Sequence, residues 1–276
     1  MKIFLTLLTV CVVILAAGCQ SESKKKIGMI RHMNITEEAF EKLHGKIKSP
    51  DAESENVRHI FFDSMTEMTA ALQSGQIDEL TTYEVVGEYL AAHNPTFDCS
   101  PPDAKFADAF CCAMREQDAA LKKQFSDAID EILTDGTLNK LVKYHIFDAN
   151  HIDPPEAVEM PTFYFDEYDE DYAPTLKIGV TGDLPPLDYI REDGQPAGFN
   201  VALLAEISKR LKVNFEIVPI AGGSRAIALT SKQVDVVFWV IVPTHDDLPI
   251  DIDKPKGMIL TDPFFTDEIV HVKLKQ

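Results

Sequence analysis

The residues best suited to bind a ligand fall into two groups that lie far apart in the chain. Arg31, His32, Asn34 and Thr36 stand between an apolar segment and a helical one. At such a strand-to-helix turn, unpaired helix N–H groups can receive an anion. Trp239, the single tryptophan, can stack on a ring or a cation of a ligand. The simpler alternatives are a capping role for Thr36, a surface position for His32 and a core position for Trp239.

The composition narrows the classes of protein to which this chain can belong. It has 276 residues, of which 45 are acidic and 26 basic, and its formal net charge is −19. Nucleic acid is therefore not an expected partner, because phosphate backbones are bound through basic surfaces. Eight His and five Cys are few and scattered, and neither a CxxC nor an HExxH pattern occurs. We expect no metal site and no cofactor.

The first nineteen residues predict export. Lys2 is followed by an apolar run over residues 3–17 and then by small residues and Cys19. Such a short run is typical of a signal peptide, and a Cys after small residues is typical of a bacterial lipoprotein. We expect residues 1–18 to be removed, Cys19 to carry the lipid and residues 19–25 to form a tether. The protein would then lie outside the cytoplasm, on the periplasmic side of the cell membrane or on the outer membrane; a plain cleaved signal is the alternative.

Three further cysteines leave two interpretations open. In an oxidising compartment, Cys99 can pair with Cys111 or Cys112. Alternatively, all three are free thiols, and the adjacent pair is buried in a strand.

An internal repeat divides the chain into two similar parts. Residues 71–78 and 228–235 are identical at five of eight positions, and each copy joins a helical pattern to a strand. Strand-like segments at residues 26–30 and 177–180 precede the two copies. Two copies are too few for a solenoid, so we expect two similar α/β lobes.

Strand and helix patterns alternate along both parts. Apolar runs predict strands at residues 27–30, 59–62, 77–81, 106–114, 176–181, 214–219 and 234–242. Helical spacing predicts helices at residues 36–44, 64–74, 85–92, 119–133 and 201–211, with a short helix that ends near residue 144. This alternation predicts an α/β fold with parallel sheets.

Residues 148–174 separate the two parts. They contain nine acidic residues, no Lys or Arg, and four prolines. Like charges and prolines keep a chain extended, so this segment is interpreted as a linker. The acidic run at residues 166–171 lacks the glycine turn and the ligand spacing of a calcium loop. We therefore expect α/β domains at residues 26–147, including closing helices, and at residues 175–276.

The second part carries a series of motifs in a characteristic order: Ile178-Gly179-Val180, Asp183-Leu184-Pro185-Pro186-Leu187, Gly198-Phe199-Asn200 and Thr261-Asp262-Pro263-Phe264-Phe265. It resembles the first lobe of the bacterial extracellular solute-binding proteins of family 3, the polar amino acid type. The first part resembles the second lobe, through residues 36–40, 71–78 and 135–138. The resemblance implies a two-lobed, type II periplasmic-binding-protein-like fold. The lobes stand in reverse order, which indicates a circular permutation with residues 148–174 joining the family's termini.

The resemblance also implies where a ligand would bind. In this family an Arg holds the carboxylate of an amino acid and an Asp holds its ammonium. These positions fall at Asp247 and Tyr83, so both charges are absent, and Glu84 is the nearest replacement for the second. The other cleft positions fall at Asp183, Leu187, Tyr189, Trp239, Val242 and Thr244, and Arg31, Asn34 and Thr36 face them from the other lobe. Asp183 and Asp247 together would favour a cationic ligand.

The expected function is that of a lipid-anchored, monomeric binding protein without enzymatic activity. It would capture an amino acid or a related solute between its lobes and present it to an ABC permease. The missing charges extend the choice to aromatic, cationic or less polar solutes. The alternatives are a sensory or interaction lipoprotein that has lost its ligand, and a dehydratase-like enzyme on the same fold. The enzyme would need basic groups to hold a dianionic substrate.

Overall fold

A computed structural model describes residues 24–47, 57–151, 156–164, 174–246 and 248–276. Among them, ten strands form one sheet: β1 (Lys25–Ile30), β2 (Val57–Phe62), β3 (Glu79–Tyr83), β4 (Phe97–Cys99), β5 (Asp103–Arg115), β6 (Thr175–Val180), β10 (Asn214–Pro219), β11 (Val236–Pro243), β12 (Met258–Leu260) and β13 (Phe265–Leu274). A smaller sheet contains β7 (Asp183–Leu184), β8 (Asp188–Ile190) and β9 (Pro196–Ala197). The helices are α1 (Glu37–Ile47), α2 (Met65–Gln73), α3 (Glu84–His93), α4 (Ala119–Thr134), α5 (Thr137–Val142), α6 (Phe199–Leu211) and α7 (Arg225–Thr230).

Each half of the large sheet contains three parallel strands. In the first half, β1 lies between β2 and β3 and is parallel to both. In the second half, β6 lies between β10 and β11 in the same way. The predicted α/β class and its parallel strands are confirmed by this pairing.

Two long strands connect the halves. β5 is antiparallel to β11 of the second half, β13 is antiparallel to β3 of the first half, and β5 and β13 pair with each other. The full order is β10-β6-β11-β5-β13-β3-β1-β2. Any movement of one half relative to the other must therefore bend or twist β5 and β13.

The two copies of the repeat make equivalent hydrogen bonds. The backbone N–H of Asp78 donates to the carbonyl of Lys26, and its carboxylate accepts from the N–H of Lys26. Asp235 makes the same two bonds with Lys177. Each aspartate follows a helix, α2 or α7, and its two hydrogen bonds hold that segment against the neighbouring parallel strand, β1 or β6. The predicted internal repeat is present in the backbone hydrogen bonds as well as in the sequence.

Helices α4 and α5 follow the first half in the chain but pack against α6 of the second half. Phe125 of α4 is fully buried and stacks on Phe215 of β10, with ring centroids 5.6 Å apart. Arg210 of α6 donates to the carboxylate of Asp135, between α4 and α5, over 2.6 Å. Apolar burial therefore fixes these helices, and an ion pair closes their exposed side.

Residues 148–151 of the linker form a short 3-10 helix that contacts α3 of the first half, whereas residues 156–164 lie against the second half. The N–H of Phe163 donates to the side-chain oxygen of Asn214 over 2.7 Å, and the Asn214 amide donates back to the Phe163 carbonyl. The N–H of Val158 donates to the carbonyl of Pro196. These bonds hold part of an acidic, proline-rich segment on the domain that follows it. The acidic run at 166–171 lies outside the described residues.

Cys99, Cys111 and Cys112 are all free thiols. Cys111 and Cys112 are buried in β5 and Cys99 is half-buried in β4, which agrees with the second interpretation of the sequence. The described helices are all too short or too polar to cross a bilayer. The predicted lipid-bearing Cys19 and the signal peptide lie outside the described residues.

Candidate functional site

A cavity of about 260 Å³ lies where the two halves face each other. The first half contributes the chain from the end of β1 to α1 and the end of β3. The second half contributes the start of α7, the middle of β11 and the loop that follows it. Because β5 and β13 also line the cavity, both connecting strands border the same space.

The halves contact each other directly beside the cavity. Asp63 receives two bonds from the second half: the N–H of Gly222 donates to its carbonyl over 3.0 Å and that of Gly223 to its carboxylate over 2.8 Å. A Cβ atom at Gly223 would lie 2.9 Å from side-chain atoms of Arg31 and Asp63, so both of these side chains would have to shift. Asn34 adds a second point of contact, because its N–H donates to Asp253 over 2.9 Å.

Arg225 is a buried cation at the edge of the cavity. Only 2% of it is exposed, and it donates to the carbonyls of Gly222, Trp239 and Arg31 over 3.3, 2.9 and 2.9 Å. Its guanidinium lies over the Trp239 ring, 5.2 Å from the centroid. Carbonyl dipoles and an aromatic face thus stabilise the charge where no carboxylate pairs with it in the described part of the chain.

Acidic groups surround Tyr83 on the other side of the cavity. Burial and the nearby Asp253 raise the pKa of Asp108 to about 7, although a hydrogen bond from Tyr83 works in the opposite direction. Burial likewise raises the pKa of Asp267, the cross-strand neighbour of Asp108, to about 7. Burial and these three carboxylates raise the Tyr83 pKa well above its usual value. A proton is therefore held in this region near neutral pH.

Among the described residues, three buried polar atoms in the cavity lining or beside it have no hydrogen-bond partner. They are Nε1 of Trp239, Nε2 of His32 and Oδ2 of Asp253, whose residue is 1% exposed. Burial and the charge of Arg225 lower the pKa of His32, against the opposing effect of Asp253. Leaving such atoms unpaired costs roughly 1–3 kcal/mol each. They therefore mark where polar atoms of a ligand, or water, would bind.

Some of the residues singled out from the sequence line this cavity: Arg31, His32, Tyr83 and Trp239. Trp239 is also a core residue, since it is 3% exposed and packs on Tyr83 and Phe110 with centroids 5.4 and 5.1 Å away. The core position expected as one alternative is thus observed, and its stacking on a ligand stays a prediction. Arg31 pairs with Asp63 over 3.0 Å.

Two predicted residues lie at the contact between the halves. The side-chain amide of Asn34 donates to the carbonyl of Ile252 over 3.2 Å. The carboxylate of Asp183 accepts from the N–H of Thr66 in the first half over 3.1 Å. These side chains hold the halves together, and the cavity lining does not include them.

The other predicted residues are placed as follows. Thr36 caps α1, because its hydroxyl accepts from the N–H of Ala39. Thr244 donates to the carbonyl of Ala107 over 2.7 Å, and Glu84 is partly exposed at the start of α3. Leu187 is fully buried, whereas Tyr189 and Val242 are half-buried in β8 and β11. Asp247 lies outside the described residues. Their contact with a ligand stays a prediction.

Sequence reasoning did not find Asp108, Arg225 or Asp253. One signal for Arg225 was present, because the repeat aligns it with Met68, which is fully buried in the first half. An arginine at a buried repeat position is an exception that points to a special role. Asp108 and Asp253 gave no such signal, since each reaches the site only through long-range pairing.

Known proteins are similar to the second part of the chain. Residues 176–246 match the family described as bacterial extracellular solute-binding proteins, family 3. The L-cystine-binding protein TcyJ of Escherichia coli strain K12 is 33% identical over 63 residues, which cover 23% of this chain and 24% of TcyJ. The protein of that name from strain O6:H1 matches to the same extent. The chain thus spans about a quarter of the length of these relatives, and the predicted resemblance is confirmed for residues 176–246.

Solved structures are similar at low sequence identity. The GluR0 ligand binding core in complex with L-glutamate has a TM-score of 0.44 at 9% identity, over 93% of this chain and 86% of its own. A ligand binding component of an ABC-type import system from Staphylococcus aureus, solved with zinc bound, has a TM-score of 0.44 at 9% identity, over 89% of this chain and 64% of its own. The strand order of this protein itself defines two α/β lobes, as predicted for a type II periplasmic-binding-protein-like fold.

Proposed function

We propose that this protein binds a small solute outside the cytoplasm, in the cavity between its two halves. The observation that carries the proposal is the cavity itself, which has unpaired buried polar atoms and is bordered by both halves and both connecting strands. The match of residues 176–246 to extracellular solute-binding proteins supports the same conclusion. A small-molecule site of this kind is expected to be concave and mostly apolar, with a few polar groups that orient the ligand.

The two halves, joined by β5 and β13, would close on a bound ligand. A ligand that contacts the ends of β1 and β3 in the first half and β11 in the second gains all of its contacts only when the halves meet. The bonds from Gly222 and Gly223 to Asp63 form in that same state. Binding would therefore stabilise the closed form relative to the open form. The difference in free energy is that of the contacts that the open form lacks.

The permuted order of the lobes belongs to the proposal. Helices α4 and α5 follow the first half but pack on α6 of the second half. This arrangement is what we expect if residues 148–174 join the family's original termini, because the closing helices then stay with the lobe that begins at β6. The domain bounds at 26–147 and 175–276 would mark the order of the chain rather than the packing units.

Delivery and anchoring are proposed from the sequence pattern and the family resemblance. A lipid on Cys19 would keep the protein near the membrane, and an ABC permease would receive the solute. Residues 1–18 would be the signal peptide. Incorporation of radiolabelled palmitate into wild type but not into Cys19→Ala, expressed in bacteria, tests the anchor separately from solute binding.

The two alternatives make different demands on the cavity. A dehydratase-like enzyme needs basic groups for a dianionic substrate, whereas Arg31 is paired with Asp63 and Arg225 with three carbonyls. A sensory or interaction lipoprotein requires no solute. The unpaired atoms at Trp239 and Asp253 favour solute binding over that role.

Thermal-shift and calorimetric titrations test the proposal. The panel contains L-cystine, L-glutamate, polyamines and arylalkylamines, with Trp239→Phe as the site variant and Ile227→Ala as the control, since Ile227 is 68% exposed and outside the cavity lining. We expect at least one solute to raise the melting temperature saturably in wild type and in the control, and less in Trp239→Phe. No saturable shift with any member would contradict the proposal.

A further inference from the structure

The basic side chains of the cavity are already engaged. The lining contains two arginines, four histidines and no lysine among the described residues. His59 and His271 lie beside Glu41 and Glu79, and burial lowers the pKa of His32. Arg31 pairs with Asp63, and Arg225 directs three of its five N–H groups to carbonyl oxygens while it lies over the Trp239 ring. A ligand carboxylate would therefore meet little free positive charge here.

Asp108 in the lining and Asp253 beside it are not matched by cations among the described residues. Asp253 is 1% exposed and accepts only from the N–H of Asn34, so its second oxygen is unpaired. Asp108 accepts a hydrogen bond from Tyr83. Neither acid forms an ion pair with a Lys, Arg or His in the described part of the chain. Buried carboxylates in this state attract a cation, because a paired buried charge is far less unfavourable than an isolated one.

The walls suit a cation that carries an apolar body. Aromatic rings of Tyr83, Trp239, Phe40 and Phe106 line the cavity and give it apolar walls. The unpaired Nε1 of Trp239 is a buried donor, so it requires an acceptor atom. The net charge of −19 would also steer cations toward the protein.

From this arrangement we propose that the solute is an organic amine: an ammonium group at Asp108, with the charge of Asp253 close by, an apolar body between the aromatic walls, and a neutral oxygen acceptor at Trp239. This inference rests on the proposed function and names the class of its ligand. A zwitterion with a free carboxylate would be disfavoured, because its negative end would approach Asp108 and the neighbouring charge of Asp253.

Three compounds with one apolar body test the charge directly. L-phenylalaninol is a cation with a hydroxyl acceptor, L-phenylalanine is a zwitterion and N-acetyl-L-phenylalaninol is neutral. We expect calorimetry with the full-length protein at pH 8 to show phenylalaninol binding at least about tenfold more tightly than phenylalanine, the factor set by one unfavourable charge contact. The neutral compound should not bind measurably.

Variants of the acids test the location. Asp108→Asn should abolish the preference for phenylalaninol over its neutral analogue, and Asp253→Asn provides a second, independent variant. Asp262→Asn is the matched control, because the Asp262 side chain is 69% exposed and lies outside the cavity lining. Retention of the preference in both Asp108→Asn and Asp253→Asn would overturn the assignment of these acids.

The outcomes separate this inference from the proposed function. Equal or tighter binding of phenylalanine in wild type overturns the cationic ligand but leaves solute binding intact. The same holds if all three compounds fail while L-cystine or L-glutamate raises the melting temperature. Failure of every solute in the panel overturns both.

Discussion

Replacement of Asp108 by Asn should change how stability depends on pH. Burial raises the pKa of Asp108 from its ordinary 3.8 to about 7 in the folded protein. Because the folded state holds this proton more tightly than the unfolded chain does, ionisation of Asp108 destabilises the fold. Its contribution to the free energy of unfolding should therefore be largest below about pH 4 and fall as the pH rises toward 7. An asparagine side chain cannot ionise, so the variant should lose this decline.

The size of the effect follows from the pKa difference. A rise of about 3 pKa units, at about 1.4 kcal/mol per unit, means that ionised Asp108 lowers the free energy of unfolding by at most about 4 kcal/mol at pH 8. Asparagine can keep a carbonyl oxygen toward Tyr83, so that hydrogen bond need not be lost. We expect Asp108→Asn to be more stable than wild type at pH 8, by an amount up to this value, and not more stable at pH 4.

Urea unfolding at pH 4, 6 and 8, followed by circular dichroism, measures the difference. Asp262→Asn serves as the exposed control and should follow wild type at every pH. Part of the pH dependence should persist in Asp108→Asn, because burial also raises the pKa of Asp267 to about 7. An identical pH profile in wild type and Asp108→Asn would refute the burial of an unmatched acid at this position.

Three further predictions concern closure, packing and protons. Gly223→Ala places a Cβ atom 2.9 Å from Arg31 and Asp63 and should favour the open form, seen as a larger radius of gyration in X-ray scattering, whereas Ile227→Ala should not change it. Phe125→Ala removes a fully buried ring and should lower the free energy of unfolding by about 3–5 kcal/mol in urea titrations; a loss below about 1 kcal/mol would contradict its packing role. Binding of phenylalaninol near pH 7 should release a proton from Asp108, so calorimetric enthalpies in phosphate and Tris should differ, and equal enthalpies would speak against it.

Local patterns predicted the parallel strands and the repeat, because each depends on residues that are near in sequence. The apolar run at residues 234–242, which the structure shows as β11, is an example. β13 was missed, since its alternation is weak and its pairing with β3 and β5 is decided by contacts across more than 150 residues. Tertiary pairing, rather than propensity, forms such a strand.

The site was predicted only in part for the same reason. Family positions correctly led to Tyr83 and Trp239 as residues of one cavity. They did not lead to Arg225 or Asp108, because the charges of this cavity come from positions that the family motif does not mark. Whether a charge is buried depends on the whole fold. The alignment of Arg225 with the buried Met68 was the one sequence feature that indicated a buried charge.

Fluorescence of Trp239 tests the central claim most directly. It is the single tryptophan of the chain and lines the cavity between the halves, so the tryptophan emission comes from a residue of that site. For any solute that raises the melting temperature, we predict a saturable change in Trp239 emission with the same dissociation constant as calorimetry gives. A solute that binds by calorimetry without changing that emission would contradict a binding site in this cavity.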